Sequence, residues 1–92
     1  MTFDFSDQKN ALLVKTRGVS FEMVIEILKS DASVKIVKSP NKSRHPDQDM
    51  FLVEINEYMY AVPFVRTQDS YCLKTIYASR KFTKLYLSKE DR

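Results

Sequence analysis

Several residue types are scarce in this 92-residue chain, and each scarcity excludes a class of functional site. Gly18 is the only glycine, so the chain cannot build a Walker A loop or a glycine-rich dinucleotide turn. Cys72 is the only cysteine, which excludes an internal disulfide and favours a reducing, cytoplasmic compartment. His45 is the only histidine, so neither a histidine-rich nor a multi-cysteine metal site can form, and we expect no metal and no cofactor.

Long hydrophobic runs are also missing from the sequence. No stretch approaches the roughly 18 consecutive apolar residues of a membrane span, so we expect no membrane association. The acidic start, residues 1–7, lacks the apolar core of a signal peptide. Hydrophobic residues make up 43% of the chain, which is enough for one modest core, and we expect a single domain over residues 1–92.

The positive charge is concentrated in two segments. The net charge is only +3, yet residues 32–46 and residues 70–89 contain lysines and arginines with no acidic residue. Such acid-free basic segments are typical of proteins that bind a polyanion, most plausibly nucleic acid. The alternative is an ordinary solvated surface, because charge clusters of this size are common.

The first third of the chain has the pattern of a helical hairpin over residues 6–29. Ser6 can cap a first helix, and Gly18 can end it in a left-handed conformation. Ser20 can cap a second helix immediately afterwards. That helix has one apolar stripe at helical spacing, formed by Phe21, Val24, Ile25 and Leu28.

The remaining chain has the pattern of four strands and a final helix. The strands are predicted at 34–38, 51–56, 59–66 and 71–78, with a polar loop over 39–49. Pro63 indicates a sheet edge or a bulge. Ser79 can cap the last helix, which is predicted to carry Phe82, Leu85 and Tyr86 on one face. Short turns between the strands favour an antiparallel sheet of about four strands, packed against helices in an α+β fold.

Basic side chains provide the candidate chemistry. Arg80 and Lys81 occupy the first turn of the last helix, where the dipole is already positive, so they could hold a phosphate or simply extend into solvent. Lys74 interrupts an apolar strand, and Arg66 at the end of the neighbouring strand could converge with it. His45 lies in the basic loop and could act as a general acid or base near neutral pH.

Three segments at the starts of the predicted helices carry a family resemblance: Phe3-Asp4-Phe5-Ser6, Arg17-Gly18-Val19-Ser20-Phe21-Glu22, and Thr75-Ile76-Tyr77-Ala78-Ser79-Arg80-Lys81. Together they resemble the BrnT family of toxins. The resemblance implies a RelE-like fold, metal-independent cleavage of mRNA, and growth inhibition as part of a type II toxin–antitoxin module. It also implies a cognate antitoxin with a ribbon–helix–helix part, through which alone the toxin would reach operator DNA.

The resulting hypothesis is an endoribonuclease with a site made of side chains only. Arg80 and Lys74 would stabilise phosphate charge, with Arg66 as a weaker third cation. The acid–base role is open between His45 and a tyrosine, Tyr77 or Tyr86, as the resemblance to RelE-type toxins implies. The RNA backbone would be held by Lys42, Arg44, Lys81 and Lys84. The alternatives are a RelE-fold toxin that poisons a protein target such as gyrase, and a nucleic-acid-binding adaptor.

Overall fold

The structure, a computed structural model, describes residues 2–30, 34–38 and 48–87. Three helices are present in these ranges: α1 (Asp7–Arg17), α2 (Phe21–Ser30) and α3 (Arg80–Leu87). Six strands accompany them: β1 (Thr2–Asp4), β2 (Lys35–Lys38), β3 (Gln48–Ile55), β4 (Tyr58–Arg66), β5 (Ser70–Leu73) and β6 (Tyr77–Ala78). The predicted α+β class, with two N-terminal helices and one C-terminal helix, is confirmed.

The caps of the helical hairpin lie where the sequence predicts them. The Ser6 hydroxyl accepts a hydrogen bond from the Lys9 amide at 3.2 Å, and the Ser20 hydroxyl accepts one from the Met23 amide at 3.1 Å. Gly18 ends α1 with a φ of 69°, and its amide donates to the Val14 carbonyl. These are local hydrogen bonds, which is why the sequence alone locates them.

Asn10 joins the two helices of the hairpin through both ends of its side-chain amide. Its Oδ1 accepts from the backbone amide of Phe21 at 2.7 Å, and its Nδ2 donates to the Glu22 carboxylate at 2.8 Å. The first bond satisfies one of the amides that a helix start leaves unpaired. The second favours the charged form of the carboxyl, so the pKa of Glu22 lies below its usual value.

The sheet has the strand order β1-β5-β4-β3-β2, and β6 also pairs with β4. Neighbours from β2 to β5 are antiparallel, as predicted, and β3 and β4 form a long hairpin. Its turn is made by Asn56 and Glu57, which both have positive φ and so match the twist of a tight hairpin. Strand β1 lies parallel to β5 and was not predicted, so the sheet is mixed.

Pro63 lies in the middle of the central strand β4, so its predicted place at a sheet edge is wrong. The predicted bulge is confirmed in the chain that faces it. Between the pairs Ala61–Tyr77 and Phe64–Leu73, β4 contributes two residues and the facing chain contributes three. This extra residue divides the predicted strand 71–78 into β5 and β6.

The two faces of the sheet are covered by different helices. The hairpin α1–α2 covers one face, and its buried cluster contains Leu13, Val19, Phe21, Val24, Phe51, Val53, Ile55, Val62, Phe64, Leu73 and Ile76. Helix α3 lies on the other face, over a smaller cluster of Met50, Leu52, Met59 and Ala61. The hydrophobic cluster under the hairpin therefore contains more buried residues than the cluster under α3.

Helix α3 contacts the sheet through a narrower face than predicted. The Thr83 hydroxyl accepts from the Met59 amide at 2.9 Å, and Phe82 and Leu87 pack on the smaller cluster. Leu85, which the sequence groups on one face with Phe82 and Tyr86, is 63% exposed and does not share that face's contact with the sheet. The contact face is centred near Phe82 and Thr83, and at 100° per residue Leu85 falls outside it.

The amide of Asn10 offers a test of how the hairpin is held together. Asn10→Ala leaves a partly buried Phe21 amide without its acceptor, and we expect a loss of about 1–2 kcal/mol in unfolding free energy. Denaturant unfolding measures this, with the exposed neighbour Gln8→Ala as the control that leaves stability unchanged. Equal stability of the two variants would contradict the role of Asn10.

The same variant has an expected pH dependence. The lowered pKa of Glu22, due mainly to Asn10, means that the carboxylate stabilises the fold above its usual pKa. That stabilisation is lost as the pH falls through the folded-state value. The stability difference between the wild type and Asn10→Ala is therefore expected to shrink below pH 4.5, as acid-range unfolding curves would show.

Candidate nucleic-acid interface

The outer face of α3 is a cluster of cations. Arg80, Lys81 and Lys84 are all exposed, and the first turn of the helix contains no acidic residue. Ser79 caps the helix by accepting from the Phe82 amide at 3.2 Å. The cap and the partly buried side chains Phe82 and Leu87 hold the helix in place, so the three cations are displayed from a fixed element.

Strand β4 aligns further candidate residues with this helix. The Lys74 amide donates to the Pro63 carbonyl, Tyr77 pairs with Ala61, and the Ser79 amide donates to the Met59 carbonyl. These contacts follow one another along the same side of β4. At 3.3–3.4 Å per strand residue, Lys74 and Ser79 are separated by about 13 Å along β4.

Lys74 is exposed and adds a fourth cation to those of α3. Its predecessor Leu73 is buried under the hairpin, so side-chain alternation directs Lys74 to the face of the sheet that carries α3. We use the term basic face for Lys74, Arg80, Lys81 and Lys84. Residues 70–87, which contain all four, include no aspartate or glutamate.

Tyr77 lies between Lys74 and Arg80 in the chain, but its hydroxyl is engaged below the helix. The side chain is partly buried against the cluster under α3, and its hydroxyl donates to the Met50 sulfur at 3.2 Å. A thioether is a weak acceptor, so this bond is a weak one. The geometry therefore places Tyr77 near the two cations without directing its hydroxyl at them.

Arg66 does not converge with Lys74, and that prediction is wrong. Register pairs Arg66 with Tyr71, three residues along β4 from the residue that faces Lys74. Its guanidinium lies 5.5 Å from the centre of the Tyr71 ring and 5.9 Å from that of Phe64, which belongs to the core under the hairpin. Arg66 is thus held by aromatic rings on the opposite side of the sheet.

Three predicted site residues, Lys42, Arg44 and His45, lie outside the described residues. The first basic segment is nevertheless represented by β2. Lys35 extends its ammonium over the ring of Tyr86 in α3, 5.4 Å from the ring centre. The two acid-free basic segments of the sequence therefore meet beside α3, although Lys35 and Tyr86 are 51 residues apart in the chain.

Sequence reasoning missed two contacts of this region. It predicted neither the contact of Lys35 with Tyr86 nor a contact of Arg17 with the sheet. The Arg17 guanidinium donates to the Ile76 carbonyl, in the segment that carries the extra residue of the bulge. No local pattern signals either contact, because both depend on the register of the sheet and the packing of the helices.

The described residues contain no group of three or more His, Cys, Asp or Glu side chains that could hold a metal ion. None of the described helices combines the length and apolarity needed to cross a membrane. Comparisons with known protein families, curated proteins and solved structures find no match to this chain.

A pair of variants separates an anion-binding role of Arg80 from a structural one. Arg80→Ala removes a cation from the positive end of the helix dipole, so we expect the melting temperature to stay constant or to rise slightly. Ser79→Ala is the contrasting variant, because losing the cap costs about 0.5–2 kcal/mol. Thermal melts of both proteins measure these effects. A fall of several degrees for Arg80→Ala would make Arg80 a structural residue.

Proposed function

We propose that this protein binds single-stranded RNA through the basic face and cleaves it without a divalent metal, as the cytoplasmic toxin of a toxin–antitoxin module. One observation carries the proposal: both basic segments contribute to one surface around α3, where Lys35 lies over Tyr86. Their meeting there favours a shared polyanionic ligand over two unrelated groups of solvated lysines.

RNA is the polyanion that this surface suits best. Arg80, Lys81 and Lys84 offer charge along an exposed helix, and the partly exposed ring of Tyr86 belongs to the same helix, beneath the Lys35 ammonium. A groove that combines cations for the backbone with an aromatic ring for a base is typical of single-strand binding. The positive end of α3 adds to the attraction for a phosphate near Arg80.

Cleavage on this surface would be a transfer within the RNA itself. A base removes the proton of a ribose 2′-hydroxyl, the oxygen attacks the adjacent phosphorus, and an acid protonates the departing 5′-oxygen. Arg80 and Lys74 would stabilise the negative charge that develops on the phosphate. The acid–base role falls to His45, or to Tyr86 or Tyr77. For Tyr77, the hydroxyl would have to leave Met50.

The toxin proposal includes a neutralising partner. An antitoxin that covers the basic face would need acidic or amphipathic segments that complement its charge. The family resemblance on which this rests implies that the antitoxin also carries a ribbon–helix–helix part. The toxin would reach operator DNA through that part alone.

RNA binding without cleavage is the second candidate, and two observations favour it. Arg66 is held on the far side of the sheet by Tyr71, so it does not join the other cations. The Tyr77 hydroxyl is bonded to the Met50 sulfur. A protein with this geometry could hold RNA as an adaptor while leaving its backbone intact.

The first test concerns binding and its dependence on salt. We expect a fluorescently labelled RNA strand to bind with an affinity that falls as salt rises, by a slope of about 0.7 for each phosphate contacted. The double variant Lys81→Gln/Lys84→Gln should weaken binding and reduce the slope. Lys15→Gln/Lys29→Gln removes the same charge from α1 and α2, and it should leave both quantities unchanged. Equal effects of the two double variants would show that the basic face is not the binding surface.

The second test concerns cleavage. We expect purified protein to cleave RNA in EDTA, and Arg80→Ala to slow cleavage by roughly a hundredfold, the effect of losing one charge-stabilising donor. Arg80→Lys keeps the charge but loses the two-pronged contact, so partial activity is expected. Activity that requires added magnesium would overturn the mechanism. Tight binding with no cleavage would select the adaptor function instead.

A further inference from the structure

A pocket opens at the carboxyl-terminal end of α3. Its volume is about 110 Å³, and it is open to solvent on one side. Its lining comes from the start of β2, the end of β3, the start of β4 and the last turn of α3. The lining residues are Val34, Lys35, Leu52, Val53, Glu54, Met59 and Tyr86.

Sheet register explains why these side chains share one side of the molecule. Lys35 pairs with Leu52, and Glu54 pairs with Met59, so all four lie on the face that α3 covers. Leu52 and Met59 are buried and form an apolar floor. Lys35 and Glu54 are exposed and stand at the rim, so the pocket has one cationic and one anionic edge.

The opposite charges at the rim are not joined to each other. Within the described ranges the one ion pair is Lys38 with Asp49, at 3.7 Å, on the outer pair of strands. The Lys35 ammonium instead lies over the Tyr86 ring, and the Glu54 carboxylate remains exposed. Both charged groups are therefore available to a ligand that presents an acceptor on one side and donors on the other.

We propose that this pocket receives a guanine base of the bound RNA, an inference that rests on the RNA binding proposed above. Guanine presents acceptors at O6 and N7 and donors at N1–H and the N2 amino group. The Lys35 ammonium donates to the acceptors, and the Glu54 carboxylate accepts from the donors. Adenine, cytosine and uracil do not offer this combination of a donor pair next to an acceptor, so the same rim discriminates against them.

The remaining lining residues would contact the flat faces of the base. The base stacks on the Tyr86 ring, at the place now occupied by the Lys35 ammonium. The ammonium moves from the ring to the edge of the base. Leu52 and Met59 provide apolar contact at the floor. Tyr86 and the cations Arg80, Lys81 and Lys84 belong to the same helix, so RNA on the basic face would pass around α3 to place a base in the pocket.

The experiment compares short RNAs that differ in one base. Fluorescently labelled RNA strands of five nucleotides, with G, A or U at the centre and uridine elsewhere, are titrated with the whole protein. Fluorescence anisotropy measures the affinity for each strand. We expect at least tenfold tighter binding of the strand with G. Glu54→Gln should abolish that preference, and binding of the all-uridine strand should stay constant or strengthen because one anionic group is removed. Tyr86→Leu should weaken binding of the G strand by roughly tenfold, the effect of losing one stacked base.

The matched control is Glu57→Gln, which removes the same charge from the β3–β4 turn and should keep the preference for G. Equal affinity for all three strands, or a preference that survives Glu54→Gln, overturns the guanine site while leaving RNA binding by the basic face intact. Absence of binding to every strand overturns both proposals.

Discussion

Pro63 imposes the constraint on which the candidate site depends. In an antiparallel strand, the N–H and the C=O of any one residue point toward the same neighbouring strand. The Pro63 carbonyl points toward the segment after β5, where it accepts a hydrogen bond from the Lys74 amide. Pro63 has no backbone N–H, so the hydrogen bond that it cannot donate is missing on the side that faces Lys74. An extra residue there lets β5 end and β6 begin one step out of register. That shift determines where the chain leaves the sheet, and so where α3 and its cations begin.

Much of the fold could be predicted because it is determined by local interactions. The hydroxyls of Ser6, Ser20 and Ser79 each accept from an amide three residues later, and Gly18 adopts the left-handed conformation that its position requires. Strand β1 could not be predicted, since three residues carry little periodicity and their partner lies at the other end of the chain. The sequence groups Leu85 with Phe82 and Tyr86 because a short helix shows too few turns to locate the face that contacts the sheet.

The candidate site was predictable in composition but not in arrangement. Exposure of Arg80, Lys81 and Lys84 follows from their charge and from their place on a capped helix. Whether Arg66 meets Lys74 depends on register, and the one-residue shift opposite Pro63 cannot be deduced from alternation alone. The contact of Lys35 with Tyr86 depends on how β2 and α3 pack on the same sheet face. No pattern within either segment encodes it.

The pairing of β1 with β5 has a consequence for folding kinetics. Thr2 pairs with Ser70, so this ladder closes residues 2–70 of the 92-residue chain into one loop. Long loops are costly in entropy to close, whereas the β3–β4 hairpin forms from neighbouring residues. We expect β1 to dock after the rate-limiting step, so that its contacts slow unfolding without accelerating folding. The lifetime of the native state would then be set in part by a three-residue strand far from the residues that bind the ligand.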